Sequence, residues 1–167
     1  MVRSLAIVAG CLLSVGCGSP GTEYLPSGTP TLKLEIRRAS TTAVDGWEAV
    51  PDTDGQGTLY LSPQLELSND DVVSTGVQLN DYGNWQVVMK LNEPGKQIFA
   101  KLSADLVDAS NVQTQGSTSK RLAVLIDGEV IFAPVVHEPI TDGVIRLGSD
   151  KFTEKDVRRI AKGIVTD

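Results

Sequence analysis

The sequence is poor in the residues that build reactive or metal-binding sites. Its 167 residues include two cysteines and one histidine, His137. Cys11 lies in a segment expected to be removed, which leaves only Cys17, so no disulfide can form within the mature chain. A metal site needs three or four convergent ligands, and the chain offers no second histidine and no free mature thiol. These shortages predict no cofactor and no metal, and a fold stabilised by a hydrophobic core.

Basic residues are also scarce. Removal of Arg3 with the first segment leaves 14 of the 15 basic residues against 21 acidic ones, a net charge of −7. An acidic surface without a basic block argues against nucleic acid as a partner. It also indicates no electrostatic attraction to anionic lipid beyond a covalent anchor. We interpret Arg158 and Arg159 as a solvated helix face.

The first residues have the pattern of a bacterial lipoprotein signal peptide. Arg3 precedes an uncharged, mostly apolar stretch over residues 5–15, and small Gly16 stands before Cys17. We predict a signal peptide over residues 1–16 and lipidation, including palmitate, at Cys17. The alternatives are an ordinary secretory signal with a chance cysteine, and a retained membrane anchor, for which the stretch is short. The predicted location is the bacterial cell envelope, lipid-anchored and facing the periplasm or the exterior.

Composition divides the mature chain into three parts. Residues 17–30 are rich in Gly, Ser, Pro and Thr, which predicts a flexible tether. Residues 31–56 contain a strand, from the alternation over residues 31–39, and most of a polar loop that runs over residues 40–58; their affiliation stays open. Residues 57–167 form the main domain.

The first half of the main domain mixes strand and helix patterns. Residues 59–67 predict one bent strand, or two short strands interrupted at Pro63. Ser68 and Asp71 have the spacing of a capping box, which predicts a short helix extending through Val77. Residues 85–91 alternate again and predict a strand.

A long helix follows. Asn92 is a suitable cap and Pro94 fits the first turn of a helix. The predicted buried face comprises Ile98, Phe99, Leu102 and Leu106. Residues 109–120 are polar and predict an exposed loop.

The second half of the domain carries the clearest signals. Residues 121–140 contain two apolar runs joined by Asp127-Gly128, a strong β-hairpin signal because a two-residue turn needs positive φ. The first run is apolar on both faces, which is typical of a central strand. Residues 143–148 predict a further strand. Thr153 and Asp156 predict a capped terminal helix.

The hairpin also resembles the head of the first periplasmic domain (P1) of the SecD family, in which an LAIVLDG-type strand and turn precede an Ala-Pro pair. The matching residues, in order, are Leu122, Ala123, Asp127, Gly128, Val130, Ala133 and Pro134. Weaker matches in the same order are residues 59–72, residues 85–99, and the closing segment with Phe152, Thr153 and Ala161. Together they cover residues 57–164, about two-thirds of the chain.

The patterns and the resemblance together predict an α+β fold, with helices packed on one face of a mainly antiparallel sheet and a ferredoxin-like character. The resemblance implies a link to protein export and to binding of polypeptide. The membrane helices of SecD have no counterpart in this sequence, so we expect a SecD-head-like domain in a stand-alone, lipid-anchored form. The alternative is an adaptor or structural lipoprotein that binds one folded envelope protein.

Catalysis is not expected. An enzyme would need a polar pocket in which His137, Glu138 and Asp142 converge, and no serine lies in a nucleophile-elbow context. Asp70 and Asp71 are better explained by a helix N-terminus, where the helix dipole favours negative charge. One of the aromatic residues, Trp85, Phe99 or Phe132, is a candidate to line a groove, although core packing is the commoner role. The sequence assigns no binding residue.

Overall fold

The computed structural model describes residues 21–26, 28–53, 57–111 and 121–164. For residues 108–111 it describes the backbone only. The predicted signal peptide 1–16, the predicted lipidation residue Cys17 and most of the predicted loop 109–120 lie outside these ranges. Within them no helix combines the length and the apolarity needed to cross a bilayer.

The predicted α+β class is confirmed, with the strands divided between two antiparallel sheets. The first sheet has the order β1-β6-β7-β10, comprising β1 (Glu23–Tyr24), β6 (Val72–Leu79), β7 (Trp85–Leu91) and β10 (Val144–Gly148). The second has the order β3-β4-β2-β8-β9, comprising β3 (Glu48–Pro51), β4 (Thr58–Leu61), β2 (Leu34–Ser40), β8 (Arg121–Ile126) and β9 (Glu129–Phe132). A short strand, β5 (Leu67–Ser68), also pairs with β2. The helices are α1 (Glu93–Asn111) and α2 (Glu154–Ile164).

The main core contains side chains from both sheets and both helices. It includes Ile36 from β2, Met89 from β7, Phe99 from α1, Val124 from β8 and Ile160 from α2, each at most 3% exposed. A smaller cluster lies on the other face of the second sheet and comprises Ala39, Leu59, Leu61, Ala123, Leu125 and Ala133. Strand β8 is therefore buried on both faces, as its apolar sequence predicted.

The Asp127-Gly128 turn has the geometry that its sequence requires. Asp127 has φ 52° and Gly128 has φ 86°. Asp127 also fixes the turn to the rest of the sheet, because its Oδ1 accepts the Lys33 N–H at 2.8 Å and its own N–H donates to the Lys33 carbonyl at 2.9 Å. The hairpin is thereby attached to the start of β2.

The capping box at Ser68 is present, but the predicted helix through Val77 is wrong. Ser68 and Asp71 cap a single 3₁₀ turn over Asn69–Asp71. The chain then becomes strand β6 at Val72. Valines are stiff at χ1 and pack well on a pleated surface, and pairing with β7 satisfies the backbone. Tertiary pairing therefore outweighs the helix signal.

Three further predictions are corrected, and one open alternative is decided. The predicted loop 40–58 contains β3, which forms by pairing with β4 and has no clear alternation of its own. Residues 59–67 form two short strands, the second of the two predicted options. Helix α1 continues to Asn111 rather than ending at residue 108. Ile98, predicted as buried, is 41% exposed, whereas Phe99, Leu102 and Leu106 lie in the core.

Both helix starts match the prediction. The Asn92 Oδ1 accepts the Gly95 N–H at 2.8 Å at the start of α1. At α2 the Thr153 N–H donates to the Asp156 carboxylate at 3.0 Å, and the Asp156 N–H donates to the Thr153 hydroxyl at 3.2 Å. Hydrogen bonds from the Thr153 hydroxyl and backbone lower the pKa of Asp156. The predicted stripe of Val157, Ile160, Ala161 and Ile164 is buried.

Part of the predicted tether is attached to the domain. Strand β1 pairs with β6, and the Leu25 N–H donates to the Thr75 carbonyl at 2.9 Å. The Glu23 carboxylate accepts two hydrogen bonds from the Arg158 guanidinium, at 2.7 and 3.0 Å, which lower the pKa of Glu23. Residues 31–56, of open affiliation in the sequence, contribute β2 to the middle of the second sheet.

One carboxylate is buried within the second sheet. Glu35 is 4% exposed and forms ion pairs with Lys33, which directly precedes β2, and with Arg37 on β2. Hydrogen bonds from Lys33 first, and then from Arg37, lower the pKa of Glu35 from its ordinary value of 4.5. Ionised Glu35 is therefore favoured in the folded protein.

We expect Gly128→Ala to lower the free energy of unfolding by about 1 kcal/mol, because a Cβ is unfavourable at positive φ. Urea unfolding monitored by tryptophan fluorescence measures the change. Gly57→Ala is the matched control, since a Cβ there would have open space and Gly57 has no positive φ. Equal stability of the two variants would contradict the turn assignment.

We expect Glu35→Gln to destabilise the protein at pH 7 and to have a smaller effect at pH 3. A folded pKa below the unfolded value means that ionised Glu35 adds stability above the unfolded pKa, and that this contribution is lost as the pH falls through the folded pKa. Urea unfolding of both proteins across this range tests the trend. Glu48→Gln, at an exposed position on β3, should leave the pH dependence unchanged.

Candidate functional site

A groove lies between β10 of the first sheet and the segment that follows β9 in the second. Its volume is about 610 Å³. Its apolar lining comes from both sheets, from α1 and from the segment after β9, and it includes Ile36, Phe99, Leu122, Val124, Phe132, Val135, Ile145 and Leu147. We call this cavity the β10 groove. Phe99 and Phe132, two of the three aromatic candidates, line it.

The edge of β10 faces the groove. Four consecutive residues, 144 to 147, line it, although alternate side chains of a strand point to opposite faces of the sheet. One cavity can contact side chains from both faces of a strand only if the cavity lies along the edge of that strand. The first sheet has the order β1-β6-β7-β10, so β10 pairs with β7 on one side and has no strand on the other within the described residues.

The register shows which backbone groups point into the groove. The Leu91 N–H donates to the Gly143 carbonyl at 2.9 Å, and Ile145 lies opposite Met89 and Leu147 opposite Val87. Hydrogen-bonded pairs alternate along an antiparallel ladder, so residues 143, 145 and 147 direct their N–H and C=O groups to β7. Val144, Arg146 and Gly148 direct theirs outward. The Val144 N–H is occupied by the Asp142 carboxylate at 3.0 Å. In the middle of the strand, the Arg146 N–H and C=O have no hydrogen bond to another described residue and are open to a partner.

The opposite wall of the groove, residues 133–142, is held at both ends. The Leu122 N–H donates to the Pro134 carbonyl at 3.2 Å, and Arg121 donates to the Ala133 carbonyl at 3.1 Å. Farther along, the Ile140 N–H donates to the Ser103 hydroxyl at 2.9 Å, and Ser103 is fully buried on α1. Between these attachments Val135 is 36% exposed, so apolar surface is accessible at the wall.

The rim of the groove is polar. His137, Glu138 and Asp142 are exposed residues that line it. Asp142 forms an ion pair with Arg146, with 3.3 Å between the carboxylate oxygen and the guanidinium nitrogen. Apolar surface below a charged rim suits a ligand that has apolar side chains and a polar main chain.

His137, Glu138 and Asp142, which an enzyme would need to bring together, all line the groove but do not form a catalytic arrangement. Asp142 is engaged by Val144 and Arg146. No hydrogen bond connects His137 to another residue of the described chain. Over the same ranges no group of three or more His, Cys, Asp or Glu residues is arranged to hold a metal ion. A nucleophile and its base must lie within hydrogen-bond reach, and this arrangement does not provide that pair.

The remaining sequence candidates have structural roles. Asp71 accepts the Ser68 N–H at 2.9 Å in the capping box, and the Asn92 side chain donates to the Asp70 carbonyl. The Asp127 carboxylate accepts a hydrogen bond from the Lys33 N–H and so attaches the hairpin turn to the start of β2. A second depression of about 520 Å³ next to this turn contains Asp52, Asp127 and Glu129.

Sequence reasoning missed the open backbone of Arg146. The alternation of residues 144–148 predicts a strand, and the structure has one there. Whether a strand is central or at an edge depends on which strands come to lie beside it, and the residue pattern of β10 alone does not contain that information.

Comparisons with known proteins agree with this fold. The model of the family described as "SecDF, P1 head subdomain" matches residues 47–164. The chain is 28% identical over 118 residues to the protein translocase subunit SecD of Rhodothermus marinus, covering 69% of this chain and 16% of that one. It is 27% identical over 88 residues to SecD of Acetobacter pasteurianus, covering 52% and 15%. The SecD of Acidaminococcus fermentans is 31% identical over 85 residues, covering 51% and 18%.

Solved structures of SecDF share the fold. A crystal structure of SecDF in its super-membrane-facing form aligns with a TM-score of 0.58 at 19% identity, over 81% of this chain and 19% of that one. A structure of SecDF described as a membrane component that enhances protein export aligns with a TM-score of 0.57 at 18% identity, over 81% and 63%. The chain spans less than a fifth of the length of the curated relatives it matches. Because the family model matches well over half of the chain, this protein belongs to the SecDF P1 head subdomain family.

Proposed function

We propose that this domain binds extended polypeptide outside the cytoplasm, by adding a strand to the edge of β10. The observation that carries the proposal is the open Arg146 N–H and C=O beside an apolar groove. A peptide added to a sheet edge gains main-chain hydrogen bonds that do not depend on its sequence, and pockets beside the edge take its alternate side chains. The link to protein export comes from the family, whose curated relatives are translocase subunits.

The β10 groove has the dimensions for such a ligand. Its volume of about 610 Å³ lies within the range of ordinary ligand sites. Phe132 and Val135 on one wall and half-buried Val144 on the other supply apolar contacts. The attachment of Ile140 to buried Ser103 holds the wall in place, so less conformational entropy is lost on binding.

The proposed role is non-catalytic. The lining of the groove is mainly apolar, and its histidine has no hydrogen-bonded partner in the described chain. A polypeptide-binding site needs no nucleophile or metal. The alternative adaptor role would instead require one folded partner that binds in a fixed ratio.

We further propose that Cys17 carries the lipid that holds the domain at the membrane of the cell envelope. The support is the sequence: an apolar stretch followed by Gly16 and Cys17. The structure is consistent with an anchor at this end of the chain, because β1 attaches the chain to the domain only a few residues later.

We expect Arg146→Pro to weaken binding of an unfolded model polypeptide about tenfold or more, since proline removes the outward N–H and its ring blocks strand addition. Arg146→Ala is the matched control, because it removes the same side chain and keeps the N–H. Proline is tolerated at an edge where the N–H faces away from the sheet, so the variant should remain folded. Fluorescence anisotropy with a labelled unfolded polypeptide measures binding.

Equal binding by the proline and alanine variants would contradict strand addition at β10. Absence of binding to any unfolded polypeptide by the parent protein would overturn the proposed function. Binding restricted to one folded envelope protein would favour the adaptor role.

We expect Cys17→Ser to abolish incorporation of labelled palmitate and to move the protein out of the membrane fraction. Cys11→Ser is the matched control and should retain both properties, because residue 11 lies within the predicted signal peptide. Metabolic labelling and membrane fractionation measure the two outcomes. Labelling that persists in Cys17→Ser would show that the lipid is attached elsewhere or that no lipobox operates.

A further inference from the structure

Helix α2 carries a stripe of positive charge on its exposed side. Lys155, Arg159 and Lys162 are all exposed and have the spacing i, i+4 and i+7, which places them on one face of the helix. None of the three forms an ion pair with another described residue. The opposite face of α2 is buried against the first sheet. In a chain of net negative charge, these three side chains form a locally cationic surface, which we call the α2 stripe. Lys162 lies close enough to Glu23, and Lys155 and Arg159 close enough to Asp156, to lower the pKa of those carboxyls without forming a direct ion pair.

The chain enters the domain next to this stripe. Glu23 of β1 is clamped by Arg158, which lies between Lys155 and Lys162 on the same helix. Glu23 and Tyr24 pair with β6, and the Leu25 N–H donates to the Thr75 carbonyl. The N-terminal segment is therefore fixed beside α2 from about residue 22 onward.

The length of chain before this point limits how far the anchor can be. Five residue steps separate Cys17 from Thr22, and a fully extended chain spans at most about 18 Å over that number. A lipid on Cys17 places its headgroup region within this distance of Thr22, the residue next to Glu23. Since Glu23 touches Arg158, the α2 stripe lies near the membrane surface.

We infer that the α2 stripe rests on anionic phospholipid and fixes the orientation of the domain on the membrane. This inference rests on the lipid anchor of the proposed function. Anionic headgroups attract lysine and arginine side chains near the surface, and the attraction decays over about 10 Å at moderate salt. A short tether allows the stripe to come within that range, and the ion pair between Glu23 and Arg158 fixes the point where the tether joins the domain next to the stripe.

The orientation has a consequence for the β10 groove. Strands β1 and β10 form the two opposite edges of the first sheet. Three strand spacings, about 14 Å, separate them. When α2 rests on the membrane, the open edge of β10 is the edge of the sheet that lies farther from the tether. The inference departs from the expectation from composition that only a covalent anchor would attract the protein to lipid.

The test uses the lipidated full-length mature protein, reconstituted in vesicles of phosphatidylcholine with or without phosphatidylglycerol. Lysine acetylation followed by mass spectrometry reports how accessible each amine is. We expect Lys155 and Lys162 to be acetylated several-fold more slowly on vesicles containing phosphatidylglycerol than on neutral ones, with the difference removed by high salt. Lys90 and Lys101, which are exposed elsewhere on the domain, are internal controls and should react equally on both.

A matched pair of variants separates the stripe from total charge. In Lys155→Gln with Arg159→Gln, the protection of Lys162 should fall to the level of an exposed lysine. In Lys90→Gln with Lys101→Gln, which removes the same charge, the protection of Lys162 should persist. A protein that floats with the vesicles but whose four lysines react equally would overturn the orientation alone. A protein that does not float with them would overturn the anchor and the orientation together, whereas polypeptide binding is measured separately.

Discussion

The backbone groups at the edge of a sheet need hydrogen-bond partners, and the two edges of the first sheet meet this need differently. One edge is covered by the chain itself, since β1 lies along β6 and is clamped through Glu23 and Arg158. The other edge, β10, has only β7 beside it among the described strands. An uncovered edge favours uncontrolled association unless it is short or protected. Strand β10 is five residues long and is recessed in a groove, so that only an extended chain can reach its edge.

The rest of the fold holds residues 133–142, which form the second wall of that groove, at a fixed distance from β10. Strand β8 is buried on both faces and positions β9 and the segment after it. Asp127 attaches the hairpin turn to Lys33, and Ser103 on α1 attaches the segment at Ile140. The two sheets therefore present β10 and residues 133–142 as a preformed site. The chain belongs to the SecDF P1 head family, whose curated relatives are translocase subunits, and the groove is the surface that we propose for binding polypeptide.

The sequence predicts local features well. The Asp127-Gly128 turn, the Asn92 cap and the Thr153–Asp156 box depend on neighbouring residues, and all three are present. Features that depend on distant partners were missed. Strand β3 forms only by pairing with β4, and valines after Asp71 become a strand because β7 lies beside them. The candidate site also depends on distant partners. Its open N–H and C=O are backbone groups of Arg146, and the arginine side chain does not indicate that they are unpaired.

Amide hydrogen exchange at single residues of β10, measured by NMR with and without saturating unfolded polypeptide, tests the central claim most directly. The account predicts that bound polypeptide slows exchange at Arg146, whose N–H points into the groove. It predicts little change at Leu147, whose N–H already bonds to β7. Exchange that is unchanged at Arg146 while the polypeptide is bound, with protection appearing on the edge of β3 instead, would contradict it.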